Sequence, residues 1–358
     1  MIITTLSFIL VLGILVFVHE FGHFITARLC GVGVEVFSFG FGPRLFGRRA
    51  GRTDYRVSIV PLGGYVKMVG EDPDAGIAPE DMPESFSHKS VGRRILIVLA
   101  GPAFNFFLAI LIFFVMFRMG GMEILRAEVG TVMENSPAMA AGIRKGDTVI
   151  RVNEAEVGSW EEMAALIGDS GGRELRLTLR RGEEFPEVRL LPEKKESRNL
   201  FGESVDRYII GITPSGAKDH HPLCTLDAAA HAIERTAAMT WLTVVSAGKM
   251  IQGRISVKEN LGGPISIARM SGEMVRRGPS EFSFYIAFLS ISLGIINLFP
   301  IPVLDGGHLL FFGLEVILRR PVDIAIREKA LQAGFFALML LMVFALYNDI
   351  ARIFGGPS

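Results

Sequence analysis

The sequence has few cysteines and no excess of either charge. Cys30 and Cys224 are its only thiols. They lie far apart in segments of different character, so no disulfide framework is expected, and C-x-x-C metal spacing is absent. Lys+Arg and Asp+Glu are equal at 37 each, which excludes a bulk electrostatic pull toward nucleic acid. No Lys or Arg precedes the apolar run at 2–18, so it lacks the basic start and small-residue cleavage site of a secretory signal. The run continues straight into His19 and Glu20 and reads as an uncleaved first membrane span.

Half of the 358 residues are hydrophobic, as in a polytopic membrane protein with room for two or three domains. Three further stretches are long enough to cross ~30 Å of hydrocarbon: Ile95–Phe117, Phe282–Leu304 and Ala330–Tyr347. Thr236–Ile251 is shorter, carries Lys249, and reads as an amphipathic helix on the membrane surface. The segment from Arg28 to Arg94 holds ten Lys/Arg, and the loop after the third span holds Arg319, Arg320, Arg327 and Lys329. The positive-inside rule puts both on the cytoplasmic side. Four spans then leave one large extracytoplasmic region at about 120–280.

His19 and His23 are four apart, so on a helix their imidazoles share one face with Glu20 beside them. This is the H-E-x-x-H arrangement of zinc hydrolases, with two metal ligands and a general base. Ionisable groups inside a span cost about 2.5–3.5 kcal/mol each on insertion scales, so three clustered there need a compensating role. A catalytic zinc takes a third protein ligand and keeps one position open. Asp305 is the best candidate, because Pro300 and Pro302 interrupt the helix and Gly306-Gly307 let the backbone turn. His308 is a rival and Glu315 a weaker one. The first and third spans both end on the cytoplasmic side in the four-span topology, so Asp305 can meet the histidines there.

His19–His23, Gly101-Pro102-x-x-Asn105, Gly262 to Ala268 and Asn297 to Gly307, with its Leu-Asp-Gly-Gly, stand in order over nearly the whole chain. In these the chain resembles the site-2 protease family of intramembrane zinc metalloproteases, of the bacterial regulator-of-sigma-E protease type. The resemblance implies one Zn2+ per chain bound by His19, His23 and Asp305, with Glu20 as base. It implies that Asn297 holds or polarises the substrate strand, the alternative being an interhelical hydrogen bond. Asn105 carries the same two readings, with packing favoured. It also implies a multi-pass protein of the bacterial inner membrane.

Val34–Gly42 and Tyr55–Val69 are β-rich runs broken by Gly and Pro, with a hairpin turn expected at 61–64. They suggest a small sheet dipping toward the membrane beside the zinc. A protease must unwind a helical substrate, and a free sheet edge captures an extended strand. Gly40-Phe41-Gly42 would permit that close approach, and the resemblance points to the same loop. A fold-stabilising hairpin is the alternative. From 122 to 214 an α+β pattern follows, with a short helix and turn at 136–147 resembling the PDZ domain and a final strand at 208–213. Such a domain binds a peptide such as a substrate's new C-terminus, or acts as a steric filter. The best-known members carry two PDZ domains in tandem, and this chain has room for one.

The expected fold is therefore a polytopic α-helical membrane protein of four transmembrane helices, with a membrane-associated β-hairpin loop and one inserted extracytoplasmic PDZ domain. Its parts are 1–30, the first span with the zinc motif; 31–94, the β-rich re-entrant loop; 95–118, the second span; and 122–214, the PDZ domain. Amphipathic helices at 226–275, the third span with its Leu-Asp-Gly region at 282–318 and the fourth span at 330–350 complete it. The expected function is endopeptidase cleavage within single-span membrane proteins, of the anti-sigma-factor or remnant-signal-peptide kind, in regulated intramembrane proteolysis. The lipid bilayer and these substrates are the expected partners. A membrane adaptor or pseudoprotease that binds spans without cutting is the alternative, but a binding protein has no need of Glu20.

Overall fold

The computed structural model describes residues 2–71, 76–198, 204–260 and 262–354. They form two compact units, one of residues 1–116 and 229–358, the other of residues 117–228. Four helices among the described residues are long and apolar enough to cross a membrane: Ile2–Leu29, Val91–Gly120, Pro279–Leu298 and Ile324–Phe354. Each overlaps a span expected from the sequence.

In the first unit, α1 (Ile2–Leu29) is apolar along most of its length because a helix in hydrocarbon must satisfy its own backbone and shed charge. It stops where Gly31 adopts a left-handed φ of 72°. The Gly31 N–H then donates to the Arg28 carbonyl and the Val32 N–H to the Ala27 carbonyl, a Schellman closure. After α1, β1 (Val34–Ala50) and β2 (Thr53–Met68) form an antiparallel hairpin that folds back on itself. Residues 34–39 pair with 64–68 along one side and with 54–57 along the other, while 44–50 pair with 53–58. The sheet order is thus 64–68, 34–41, 53–60, 44–50, with 64–68 and 44–50 on the outside.

This corrects the expected turn. The hairpin reverses at Gly51-Arg52, and residues 61–64 instead carry the chain across 34–41 to its far side. Phe24, Val34, Val66 and Met68 seal the sheet against α1, together with Ile97 of α2 (Val91–Gly120).

The third span is also shorter than the hydropathy suggests. Helix α8 (Pro279–Leu298) ends because Pro300 forces its predecessor out of helical geometry; Phe299 has φ −63° and ψ 144°. An irregular stretch follows, and the chain re-enters helix as α9 (Asp305–Leu318). The 225–251 region is one long helix, α5 (Thr225–Ile251), followed by α6 (Val257–Asn260) and α7 (Pro264–Arg277). The last helix, α10 (Ile324–Phe354), lends Asp349 to the start of α7, where its carboxylate accepts the N–H groups of Gly263, Ile265 and Ser266.

In the second unit, β3 (Met122–Leu125), β4 (Val129–Val132) and α3 (Pro137–Ala140) come first. The Ser136 hydroxyl caps α3 by accepting the Met139 N–H. A four-stranded antiparallel sheet follows in the order β6-β5-β7-β8, from β5 (Thr148–Val152), β6 (Ala155–Glu156), β7 (Leu175–Arg180) and β8 (Glu187–Leu190). Helix α4 (Trp160–Gly168) is capped by Ser159, whose hydroxyl accepts the Glu162 N–H. The core lies between them and includes Val129, Val149, Met163, Leu177, Leu179 and Ile210.

The expected final strand at 208–213 is two. β10 (Ser204–Ile209) pairs with β9 (Glu193–Arg198), Gly211 breaks the chain at φ 82°, and β11 (Ile212–Pro214) turns to β4. The unit also runs past 214, because β12 (Lys218–His221) pairs back with β3. Leu177 is fully buried in β7. Leu177→Ala should cost this unit about 3 kcal/mol by leaving a cavity. Denaturation followed by Trp160 fluorescence in a Trp241→Phe background measures it, and an unchanged midpoint would mean the core is assigned wrongly.

Candidate metal centre

Helix α1 sets His19 and His23 one turn apart and buried, with their rings edge to face at 4.8 Å between centroids. Asp305 opens α9 as its first residue, yet it caps nothing. The cap position is Leu304, without a side-chain bond. The Asp305 carboxylate turns instead to the histidines, Oδ2 lying 3.2 Å from His19 Nε2 and Oδ1 3.5 Å from His23 Nε2. The two Nε2 atoms are 3.3 Å apart. Gly306 permits this turn, since a Cβ there would run into the Leu298 and Phe299 carbonyls.

The donor set fits zinc. Ligand atoms about 2.0–2.2 Å from a tetrahedral centre lie about 3.3–3.6 Å from one another, and these three donors are 3.2 to 3.5 Å apart. Asp305 Oδ2 is buried and, although His19 Nε2 lies 3.2 Å away, makes no well-aligned hydrogen bond, an arrangement better answered by a cation between them. Three protein ligands leave a tetrahedral ion one open position, as catalysis requires. Among the described residues, His19, His23 and Asp305 are the group of three His, Cys, Asp or Glu side chains close enough to share an ion. The rivals are placed otherwise. Glu315 pairs with Arg94 at 2.6 Å, and Arg94 also lies over the Phe312 ring. His308 is half-buried and outside the trio.

Glu20 sits beside the trio on α1 and accepts the Val66 N–H through Oε2 at 3.1 Å. That N–H belongs to the outer segment 64–68, so the sheet borders the carboxylate. Gly40 is not on this border. Its missing side chain faces the Ser58 and Val60 carbonyls, so it serves close packing inside the sheet rather than a free edge. Phe41 stacks on Tyr65 at 6.0 Å, half its surface exposed, and Gly42 follows it with φ 88°. Asn297 is half-buried near the end of α8. Asn105 is fully buried, and its amide nitrogen lies 3.1 Å from His19 Nδ1. A residue so enclosed is not placed to touch substrate; its observed contact is an interhelical one, from α2 to His19 of the metal trio on α1, in line with the packing reading favoured for it over substrate binding.

Sequence reasoning missed two supports on α2. The Ile97 carbonyl lies 2.8 Å from His23 Nδ1 and can accept its proton, leaving Nε2 facing Asp305. Gly101 has its bare face against both rings: a Cβ there would collide with His23 Nε2 and come within 2.8 Å of His19 Cε1. The only sequence signal was Gly101-Pro102-x-x-Asn105 itself, a glycine within an apolar helix. Gly101→Ala should displace the imidazoles and weaken zinc binding by roughly the 10–100-fold typical of disturbed ligand orientation. Chelator competition reads this, and unaltered affinity would show that the rings accommodate a methyl group.

The model of peptidase family M50 matches residues 7–341. The chain is 37% identical to a candidate zinc metalloprotease of Agrobacterium fabrum over 97% of its own length and 96% of that protein. It is 36% identical to another from Campylobacter jejuni, covering 98% and 94%. It is 30% identical to the zinc metalloprotease RasP of Oceanobacillus iheyensis, covering 98% and 99%.

Proposed function

The chain belongs to peptidase family M50 and is a membrane zinc metalloprotease; from that premise we propose that it cuts within the transmembrane segments of single-span membrane proteins. The observation that carries this is the convergence of His19, His23 and Asp305 on one point beside helix α1, itself apolar enough to span a membrane, with Glu20 and an outer sheet segment at its side. In this reading His19, His23 and Asp305 hold the ion and Glu20 is the general base.

A bound zinc ion supplies Lewis acidity, which polarises a carbonyl and acidifies water near neutral pH. The remaining work falls to side chains. Glu20 takes the water's proton on its carboxylate and returns it to the departing amine. The 64–68 segment offers backbone groups to an extended substrate strand, so that an unwound peptide replaces its helical hydrogen bonds with sheet bonds. Phe41, between Gly40 and Gly42, lines the bend of that sheet, and Asn297 donates its amide to the strand from α8.

The unit at 117–228 is read as a single PDZ domain outside the cytoplasm, acting as a steric filter or as a site for a trimmed substrate's C-terminus. Its short α3, its antiparallel sheet and α4 suit that reading. The basic segments 28–94 and 319–329 support a zinc site toward the cytoplasmic side of a bacterial inner membrane. Substrates of the anti-sigma-factor or remnant-signal-peptide type, as in regulated intramembrane proteolysis by regulator-of-sigma-E proteases, fit a centre embedded at that depth.

The test is purified full-length chain in liposomes with a fluorescently labelled single-span protein whose ectodomain has been removed. Fragment release should stop with a zinc chelator and return when zinc is restored. Release insensitive to chelation, or confined to soluble unfolded peptides, would refute the proposal.

A further inference from the structure

Ile97, Gly101 and Asn105 are spaced by four along α2, and their line faces the two imidazoles. Each does something different. Ile97 presents a carbonyl to His23 Nδ1, Gly101 yields space, and Asn105 brings an amide to His19 Nδ1. Neutral imidazole has one N–H and one lone pair. For His19 Nε2 to bind a cation, its lone pair must be there, so Nδ1 must carry the proton and needs an acceptor.

Asn105 has that acceptor, and it is unemployed. Its Oδ1 is buried without a hydrogen bond, while Nδ2 occupies the place beside His19 Nδ1. With Nδ2 donating to Nδ1, the imidazole proton sits on Nε2, which faces Asp305. A half-turn of the amide puts Oδ1 beside Nδ1, pairs the orphan oxygen, and moves the ring to the tautomer with a free Nε2. The rest of Asn105 is fixed, since its backbone carbonyl accepts the Ser290 hydroxyl of α8 at 2.8 Å. Only the side-chain amide is left to choose.

We propose that Asn105 is a positioning residue whose side-chain oxygen selects the metal-binding tautomer of His19, matching the service that the Ile97 carbonyl gives His23. The proposal rests on the reading of His19 as a zinc ligand. The acceptor, not the volume, is the essential property: a carboxylate at 105 would serve, because carboxylate–histidine–zinc chains are a common way to orient a ligand, whereas an apolar side chain of similar size would not.

Full-length protein carrying Asn105→Asp, Asn105→Leu or Asn105→Ala is loaded with zinc in detergent and titrated with a competing chelator. Cobalt loading gives a visible spectrum as a second readout. The Leu and Ala variants should lose zinc at about 10–100-fold lower chelator, and their cobalt bands should shift. Asn105→Asp should retain zinc close to the unmodified chain. If Leu and Ala hold zinc as tightly as the unmodified chain, or if Asp loses it as readily as they do, the proposal is overturned. Should the Leu variant fail to fold, the Ala and Asp pair decides. His19→Ala separates the two levels of the account. Zinc retention equal to the unmodified chain in that variant would remove the metal reading itself, whereas loss there with Asn105→Ala unaffected would remove only the role of Asn105.

Discussion

Glu20→Gln lowers peptide cleavage by about 10²–10⁴-fold, the range that general acid–base groups contribute, while zinc stays bound at one ion per chain. The separation follows from geometry. Glu20 is not in the donor trio, whose members are His19, His23 and Asp305. A glutamine keeps the shape and can still accept the Val66 N–H through its amide oxygen, so the sheet segment next to the site is undisturbed. What is lost is a group able to hold a proton. Quantifying turnover and metal content on the same preparation checks the result. A variant as active as the parent would assign the base elsewhere, and one that sheds zinc would make Glu20 a ligand.

Asp305→Ala is expected to act on the metal itself. The carboxylate touches both histidines, and its loss leaves two nitrogens that bind zinc far less tightly. Affinity should fall by more than the ~10–100-fold that losing an outer partner costs, and cleavage should vanish with it. Elemental analysis after dialysis against a mild chelator reads the outcome. Unchanged zinc would return the third position to His308, the half-buried neighbour three residues on. Glu315 is not an equal substitute, since Arg94 holds it in an ion pair, and separating them would leave two enclosed charges alone.

The parts of the site legible in the sequence are those written in local spacing. His19, Glu20 and His23 lie within five residues of one helix, and helical periodicity alone puts them together. Asp305 was found because prolines and glycines mark where a span breaks. The break itself was placed late: hydropathy carries on through Phe299 and Ile301, but Pro300 ends α8 at Leu298.

The supports from α2 were not legible. That Gly101 faces two imidazoles, or that the interhelical partner of Asn105 is His19, depends on the rotation of one helix against another, which composition does not report. The sheet shows the same limit. Its β character was evident at 34–42 and 55–69, but the fold-back that makes 64–68 the outer segment is set by pairing on both sides of residues 34–39. Gly40 was therefore expected on an open edge and lies against the Ser58 and Val60 carbonyls instead. In the second unit, alternation through 208–213 concealed a change of sheet at Gly211, where the backbone takes a positive φ.

The most direct test of the central claim is to map the scissile bond by mass spectrometry in a single-span substrate cut by the purified chain. A zinc-dependent cut inside the hydrophobic segment, absent with Glu20→Gln, is the expected result. Cleavage only in the flanking soluble sequence, with the segment left whole, would contradict it.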